Sequence, residues 1–110
     1  MEDSSLSRLR KAVIEQKKVF LPPEAEEPGL SALHQAVVNY DQLVSQVVIA
    51  ALQSSPLPVD EAQIQNAKTA VEHLLADPTI QANRRAAFYQ SYTSRLERML
   101  ALAQAVHLES

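Results

Sequence analysis

The three histidines are the side chains best suited to acid–base or metal chemistry, and their spacing favours neither. His34, His73 and His107 are far apart, and none has a second histidine three or four residues away. His73 and Asp77 form a single pair with helical i,i+4 spacing, which is too few ligands for a structural zinc site. We expect all three histidines to be surface, capping or partly buried structural residues.

Carboxylates are the next candidates, and the densest group of them lies in a proline-containing segment. Glu24, Glu26 and Glu27 stand among three prolines in residues 21–30. General acid–base catalysis needs carboxylates held in a concave, partly desolvated pocket, which an exposed loop does not provide. We expect these residues to form a solvated linker or an electrostatic contact to a basic partner.

The composition removes most other catalytic chemistry. The 110 residues include no cysteine and one glycine. Without cysteine there is no disulfide, no thiolate metal site and no cysteine nucleophile. A single glycine excludes almost every glycine-rich phosphate loop. We predict that the protein is not an enzyme, has no catalytic or metal-binding residue and binds no cofactor.

Arginines near the C-terminus are the first candidates for partner binding. Arg84, Arg95 and Arg98 share roughly one side of a predicted helix, at offsets of eleven and three residues. They could bind an anion or an acidic partner. They could instead pair with acids of the third helix or the loop, which we favour because it is the more ordinary arrangement.

A second group of basic residues lies near the N-terminus. Residues 8–18 contain five lysines and arginines against the single acid Glu15. Together with Arg84 and Arg85 they are the best candidates for nucleic-acid binding. The segment has no interleaved aromatic residue and no glycine-containing helix-turn-helix connection, and the whole chain has a net charge of −3. Nucleic-acid binding is therefore an alternative and not the leading hypothesis.

Aromatic residues follow one another early in the last predicted helix. Phe88 and Tyr92 fit its apolar stripe, whereas Tyr89 lies about 100° away around the helix. Such aromatic residues most often lie in the core, but tyrosine is enriched at binding hot spots, so Tyr89 could instead be an exposed anchor for a partner.

Helices must position these residues. Ser4 or Ser5 can cap a first helix that ends near Lys18. A second helix is predicted from Ser31 to Gln53; β-branched residues in its second half also suit a strand, but no breaker precedes them.

Two further helices follow a proline-containing turn. Asp60 and Gln63 resemble a capping box for a third helix over about 60–76, and Asp77-Pro78 combines two signals for the start of a fourth. The fourth has no breaker until about His107, so it would be about 45 Å long. We expect part of it to project past the other helices, fray or pack on another chain.

The second helix has the clearest periodicity, and it is almost free of charge. Its apolar seam has a 4-3-4-3-4 spacing and consists of Leu33, Val37, Tyr40, Val44, Val47 and Ala51. Asp41 is the only formal charge between Pro28 and Val59, which is unusual for a surface helix. Either the other helices surround it, which we favour, or a partner covers its polar face, because interface cores are depleted of charge. That face consists of Gln35, Asn39, Gln42, Ser45 and Gln46.

These signals predict an all-α fold, a small antiparallel bundle of three or four helices with a long C-terminal helix. Residues 1–20 form a basic N-terminal helix, which the proline- and glutamate-rich linker 21–30 could let detach. Residues 31–110 form the core of the bundle. The N-terminus lacks the apolar region of a secretory signal and no segment is long enough to span a membrane, so we expect a cytoplasmic protein.

The leading functional hypothesis is a non-enzymatic protein–protein interaction module: an adaptor, a secretion or assembly chaperone, or a complex subunit that offers a helical face to a protein partner. The candidate partner-binding residues are Tyr40, Val44, Val47, Tyr89, Arg84, Arg95 and Arg98. Two alternatives remain. One is a nucleic-acid-associated regulator that uses the first helix with Arg84 and Arg85. The other is a homo-oligomer that pairs through the seam of the second helix.

Overall fold

The structure, a computed structural model, describes residues 4–19 and 28–109, and within these ranges it contains helices and no strand. The helices are α1 (Ser5–Gln16), α2 (Pro28–Leu52), α3 (Glu61–Leu75), the single turn α4 (Pro78–Gln81) and α5 (Arg84–Glu109). The predicted all-α class and the long C-terminal helix are confirmed. Helix α2 begins three residues before the predicted Ser31, and the rest of the predicted linker lies outside the described residues.

Three of the predicted helix starts are built from local side-chain contacts. The Ser4 hydroxyl accepts a hydrogen bond from the Ser7 N–H at 3.1 Å at the start of α1. At the start of α3, Oε1 of Gln63 accepts the Asp60 N–H at 3.1 Å. Asp77 Oδ1 accepts the Thr79 N–H at 2.8 Å and starts α4. Each contact satisfies a backbone donor that has no partner inside the helix.

The prediction of one unbroken helix from Pro78 to His107 is wrong. The chain turns at Ala82 and Asn83, which separate α4 from α5. Asn83 Oδ1 accepts the Arg85 N–H at 3.0 Å, an Asn-type start signal that needs no proline or glycine. The break lets Ile80, which is 4% exposed, pack into the core.

Two long helices form the centre of the molecule. Helix α2 packs closely against both α3 and α5, and α1 packs along α5 with little contact to α2. The seam of α2 is entirely buried, with Leu33, Val37, Tyr40, Val44 and Val47 at 0% exposure. The β-branched half of α2 is helical, since its valines pack on both neighbours instead of pairing as a strand.

The predicted length of the last helix suggested that part of it projects past the other helices. In the structure α5 does not do so. It has 26 residues and α2 has 25, so the two match in length. Helix α1 covers the C-terminal half of α5, with Leu9 fully buried in the common core. At its first turn, the Ser5 hydroxyl donates to Glu109 Oε1 at 2.7 Å.

Candidate functional site

A groove between α1 and α5 brings together basic residues that are far apart in the sequence. Its volume is about 790 Å³, within the range of ligand sites in proteins. Its lining comprises Arg8, Lys11, Ala12, Glu15, Gln16, Arg95, Arg98, Met99, Ala101 and Leu102. We call this the basic groove.

Helix α1 forms one wall of the basic groove because its apolar side faces α5. Leu9 is fully buried, and Ala12 and Val13 pack against the core as partly buried residues. Arg8 and Lys11 flank this side and remain exposed. Because side chains three residues apart lie on the same helix face, the two cations stand together on the rim.

Helix α5 supplies the opposite wall by the same rule. Arg95 and Arg98 are exposed and three residues apart, while Met99, next to Arg98, is 6% exposed and lies in the core. Met99 and Leu102 therefore form an apolar floor between two basic rims. Such a floor can bury an apolar part of a ligand while the rims bind its charges.

The basic groove has an excess of positive charge. No described carboxylate lies within ion-pair distance of Arg8, Arg95 or Arg98. The groove's own acid, Glu15, lies 3.3 Å from the Lys18 ammonium, so part of its charge is neutralised by a residue outside the groove. The favoured prediction, in which the arginines pair with acids of the third helix or the loop, does not hold for Arg95 and Arg98 among residues 4–19 and 28–109. The acids of the loop lie outside the described residues.

A polar contact lies beneath one end of the basic groove. The Tyr92 hydroxyl donates to Asp41 Oδ2 at 2.6 Å, and the Ser45 hydroxyl donates to Oδ1 of the same carboxylate at 3.1 Å. Burial of the phenol and its bond to Asp41 raise the pKa of Tyr92 to about 12, while the neighbouring Gln16 amide opposes this rise. This contact fixes α5 against α2 and thereby fixes the floor of the groove.

Four of the predicted partner-binding residues lie in the core and cannot meet a partner on this surface. Tyr40, Val44 and Val47 are at 0% exposure, so the seam is covered by the chain's own helices. Of the two alternatives for Tyr89, the core position holds and the exposed anchor does not. Its side chain is also at 0% exposure, and its hydroxyl lies 2.9 Å from Nδ1 of His34.

The aromatic assignment on α5 is in fact reversed. Phe88, which was assigned to the apolar stripe, is 37% exposed, and its ring packs edge-on against Tyr89 at 5.9 Å. Tyr89 lies seven residues before Leu96 and fourteen before Ala103, so the three share one face of α5, and all three are buried. The spacing after the break at Asn83 is therefore enough to place Tyr89 inward.

The three predicted arginines separate into two places. Arg95 and Arg98 line the basic groove, whereas Arg84 lies at the start of α5 beside a smaller cavity of about 310 Å³. Arg85 is also exposed near that end. The alternative nucleic-acid surface, which joined helix one to Arg84 and Arg85, is therefore not one continuous site.

The polar face of α2 remains open. Gln35, Asn39, Gln42 and Gln46 are exposed, and only Ser45 is half-buried. The favoured explanation for its lack of charge, that the other helices surround α2, is wrong for this face, because α2 packs on α3 and α5 along its apolar side.

The described residues place few ligating side chains together. No group of three or more histidines, aspartates or glutamates in ranges 4–19 and 28–109 could hold a metal ion. No helix in the same ranges has both the length and the apolar character needed to cross a bilayer.

Two features of the site were not predicted from the sequence. The two basic groups were recognised separately, but nothing in the spacing shows that Arg8 and Lys11 face Arg95 and Arg98 across a groove. The Tyr92–Asp41 contact was missed too, although Asp41 carried a signal: a single acid in a charge-free helix is a candidate for a buried hydrogen bond. The chain matches no family model, and no curated protein or solved structure is detectably similar to it.

Proposed function

We propose that the protein is a non-enzymatic interaction module, an adaptor, chaperone or complex subunit, that binds an acidic segment of a protein partner in its basic groove. One observation carries the proposal: two helices present four cationic side chains around an apolar floor, and Arg8, Arg95 and Arg98 have no described acid as a partner. Arginine is enriched at binding hot spots, and unpaired cations attract acidic partners and accelerate their association.

A protein partner fits the groove better than a nucleic acid. Its floor is apolar, its lining contains no aromatic side chain for base stacking, and it includes the carboxylate of Glu15. Proteins that bind single-stranded nucleic acid combine cations with aromatic platforms. The other candidate, a homo-oligomer formed through the seam of α2, loses its surface because that seam is buried.

A comparison of two charge-reversal variants tests the proposal. Tagged protein carrying Arg95→Glu and Arg98→Glu is purified from its native cell beside the unaltered protein, and associated molecules are identified by mass spectrometry. The matched control carries Arg84→Glu and Arg85→Glu, which make the same charge change on the same helix outside the groove. All four side chains are exposed, so we expect both variants to fold.

The expected result is a protein partner that accompanies the unaltered chain and the control and is lost from the groove variant. A partner that the groove variant retains would overturn the proposal. So would nucleic acid as the sole associated molecule, since that result would favour a regulator that binds phosphates.

A further inference from the structure

We propose that the ligand of the basic groove is an amphipathic α-helix with acidic residues on both sides of an apolar stripe. The inference rests on the proposed function and adds the form of the acidic segment. Three features carry it: the course of the cations across the groove, their spacing along each wall, and the nature of the floor.

The cations follow an oblique line across the groove. Helix α1 runs antiparallel to α5, because Ser5 bonds to Glu109 at one end and Gln16 lies beside Tyr92 at the other. Arg8 therefore lies towards the C-terminal end of α5, and Lys11 lies near the middle of the groove. On the opposite wall, which runs from Arg95 to Leu102, Arg98 lies near the middle and Arg95 at the other end.

An oblique line of charge suits a ligand that crosses the two helices at an angle. Helices pack on one another at preferred crossing angles of about 20° or 50°, so a third helix that lies in the groove would cross it obliquely. Its acidic residues would meet Arg8 near one end, Lys11 and Arg98 near the middle, and Arg95 near the other end.

The spacing within each cation pair also matches a helix. Arg8 and Lys11 are three residues apart on α1, as are Arg95 and Arg98 on α5. Residues at this spacing have Cβ atoms about 5–6 Å apart. A ligand helix presents carboxylates at i and i+3 or i+4 with the same separation, whereas same-side residues of an extended strand are about 6.6 Å apart or more.

The floor is suited to the apolar stripe of such a helix. Ala12, Met99 and Leu102 lie between the two basic walls. The alanine allows close approach, and the partly exposed Leu102 supplies apolar surface, while Met99 lies beneath them at 6% exposure. A groove between two helices that accepts the apolar side of a third is an established mode of peptide recognition.

Synthetic peptides test the inference on the full chain. The probe is a fluorescent peptide of about 16 residues, long enough to become helical, with leucines at i, i+3 and i+7 and glutamates on both sides. Its matched control replaces one solvent-facing residue at the centre by proline, which breaks a helix interior and leaves the charge and the leucines unchanged. A single-stranded oligonucleotide of equal charge is the third probe. Binding is followed by fluorescence anisotropy.

We expect the helical peptide to bind at least tenfold more tightly than the proline peptide and the oligonucleotide. Charge reversal by Arg98→Glu should weaken binding of the helical peptide about tenfold. The control Arg84→Glu should leave its affinity unchanged. Equal affinity of the two peptides would overturn the helical form and leave an acidic segment as the ligand. Preference for the oligonucleotide, or indifference to Arg98→Glu, would overturn the groove as a protein-binding site as well.

Discussion

Tyr92 on α5 donates a 2.6 Å hydrogen bond to Asp41 on α2, and this contact joins the two longest helices of the protein. Asp41 is half-buried, and its other oxygen accepts from Ser45. A carboxylate removed from water is stable only when donors replace the lost hydration, and Tyr92 supplies one of the two. The single formal charge of α2 is therefore bound by two hydroxyl donors of the protein itself.

Removing the Tyr92 hydroxyl should therefore weaken the fold. In Tyr92→Phe the carboxylate of Asp41 loses a donor in a partly buried setting, so we expect the free energy of unfolding to fall by about 1.5–3 kcal/mol. Urea denaturation followed by circular dichroism measures this change.

Tyr40→Phe is the matched control, because it removes the same atom from a buried tyrosine. The Tyr40 hydroxyl is buried and has no hydrogen-bond partner. Deleting an unsatisfied buried hydroxyl should leave stability unchanged within about 0.5 kcal/mol or raise it. Equal losses in the two variants would show that the bond to Asp41 contributes nothing beyond the loss of a hydroxyl from a buried ring.

Stability should also decline at alkaline pH. Burial raises the pKa of Tyr40 to about 12, with Glu97 and Glu72 nearby adding to the rise, and burial raises the pKa of Tyr92 to about 12 as well. Unfolded tyrosine has a pKa of about 10. Below about pH 10 the folded and unfolded states both keep the tyrosine protons, and the stability of the protein is not reduced by tyrosine ionisation. Between about pH 10 and 12 the unfolded state loses protons first, so stability falls.

The expected loss is at most about 2–3 kcal/mol for each tyrosine across this interval. Urea denaturation at a series of alkaline pH values measures it, and Tyr40→Phe should roughly halve the decline. The same slope in the variant and the unaltered protein would attribute the decline to other groups.

The helices of this protein could be predicted from its sequence because their signals are local. Ser4, Asp60 and Asp77 each begin a helix through contacts within three residues, and the seam of α2 is a simple repeat. Asparagine favours a helix start over a helix interior, but one asparagine without proline or glycine is a weak signal for a break. The packing of Ile80 into the core adds the missing term.

The site was harder to predict because it depends on how helices pair. Arg8 and Arg98 are ninety positions apart and line one groove only because α1 docks on α5. The spacing of Tyr89 and Leu96 places both on one face of α5, but it does not show that α2 covers that face. A sequence pattern tells which residues share a face, but the neighbour of that face follows from the tertiary arrangement.

A charged residue in the seam of α2 distinguishes a core from an oligomer interface. Val44 is at 0% exposure, and a buried carboxylate without a partner is very unfavourable. Because small domains are stable by only about 5–15 kcal/mol, we expect Val44→Asp to unfold the protein, with loss of helical circular dichroism. A folded variant with a lower oligomeric mass would show instead that the seam joins two copies.

The end of α2 offers a stabilising substitution. Ser54 has φ of 55°, and the Ser55 N–H donates to the Ala50 carbonyl at 2.8 Å, the pattern in which glycine is preferred. A residue with a Cβ is strained in this region. We expect Ser54→Gly to raise the free energy of unfolding by up to about 1 kcal/mol, measured by urea denaturation. The control Ser55→Gly should not raise it, because Ser55 lies outside the left-handed region.

Docking of α1 should control both stability and the basic groove. Leu9 is the fully buried side chain of α1, and truncation of a buried leucine costs about 2–5 kcal/mol. We expect Leu9→Ala to destabilise the protein and to weaken binding of an acidic helical peptide, since Arg8 and Lys11 then leave the wall opposite Arg95 and Arg98. The control Ile14→Ala removes a side chain on the same helix that is 57% exposed, and we expect it to change neither property. If Leu9→Ala reduced stability and left peptide affinity intact, the ligand would depend on α5 alone, and the wall formed by α1 would have no part in recognition.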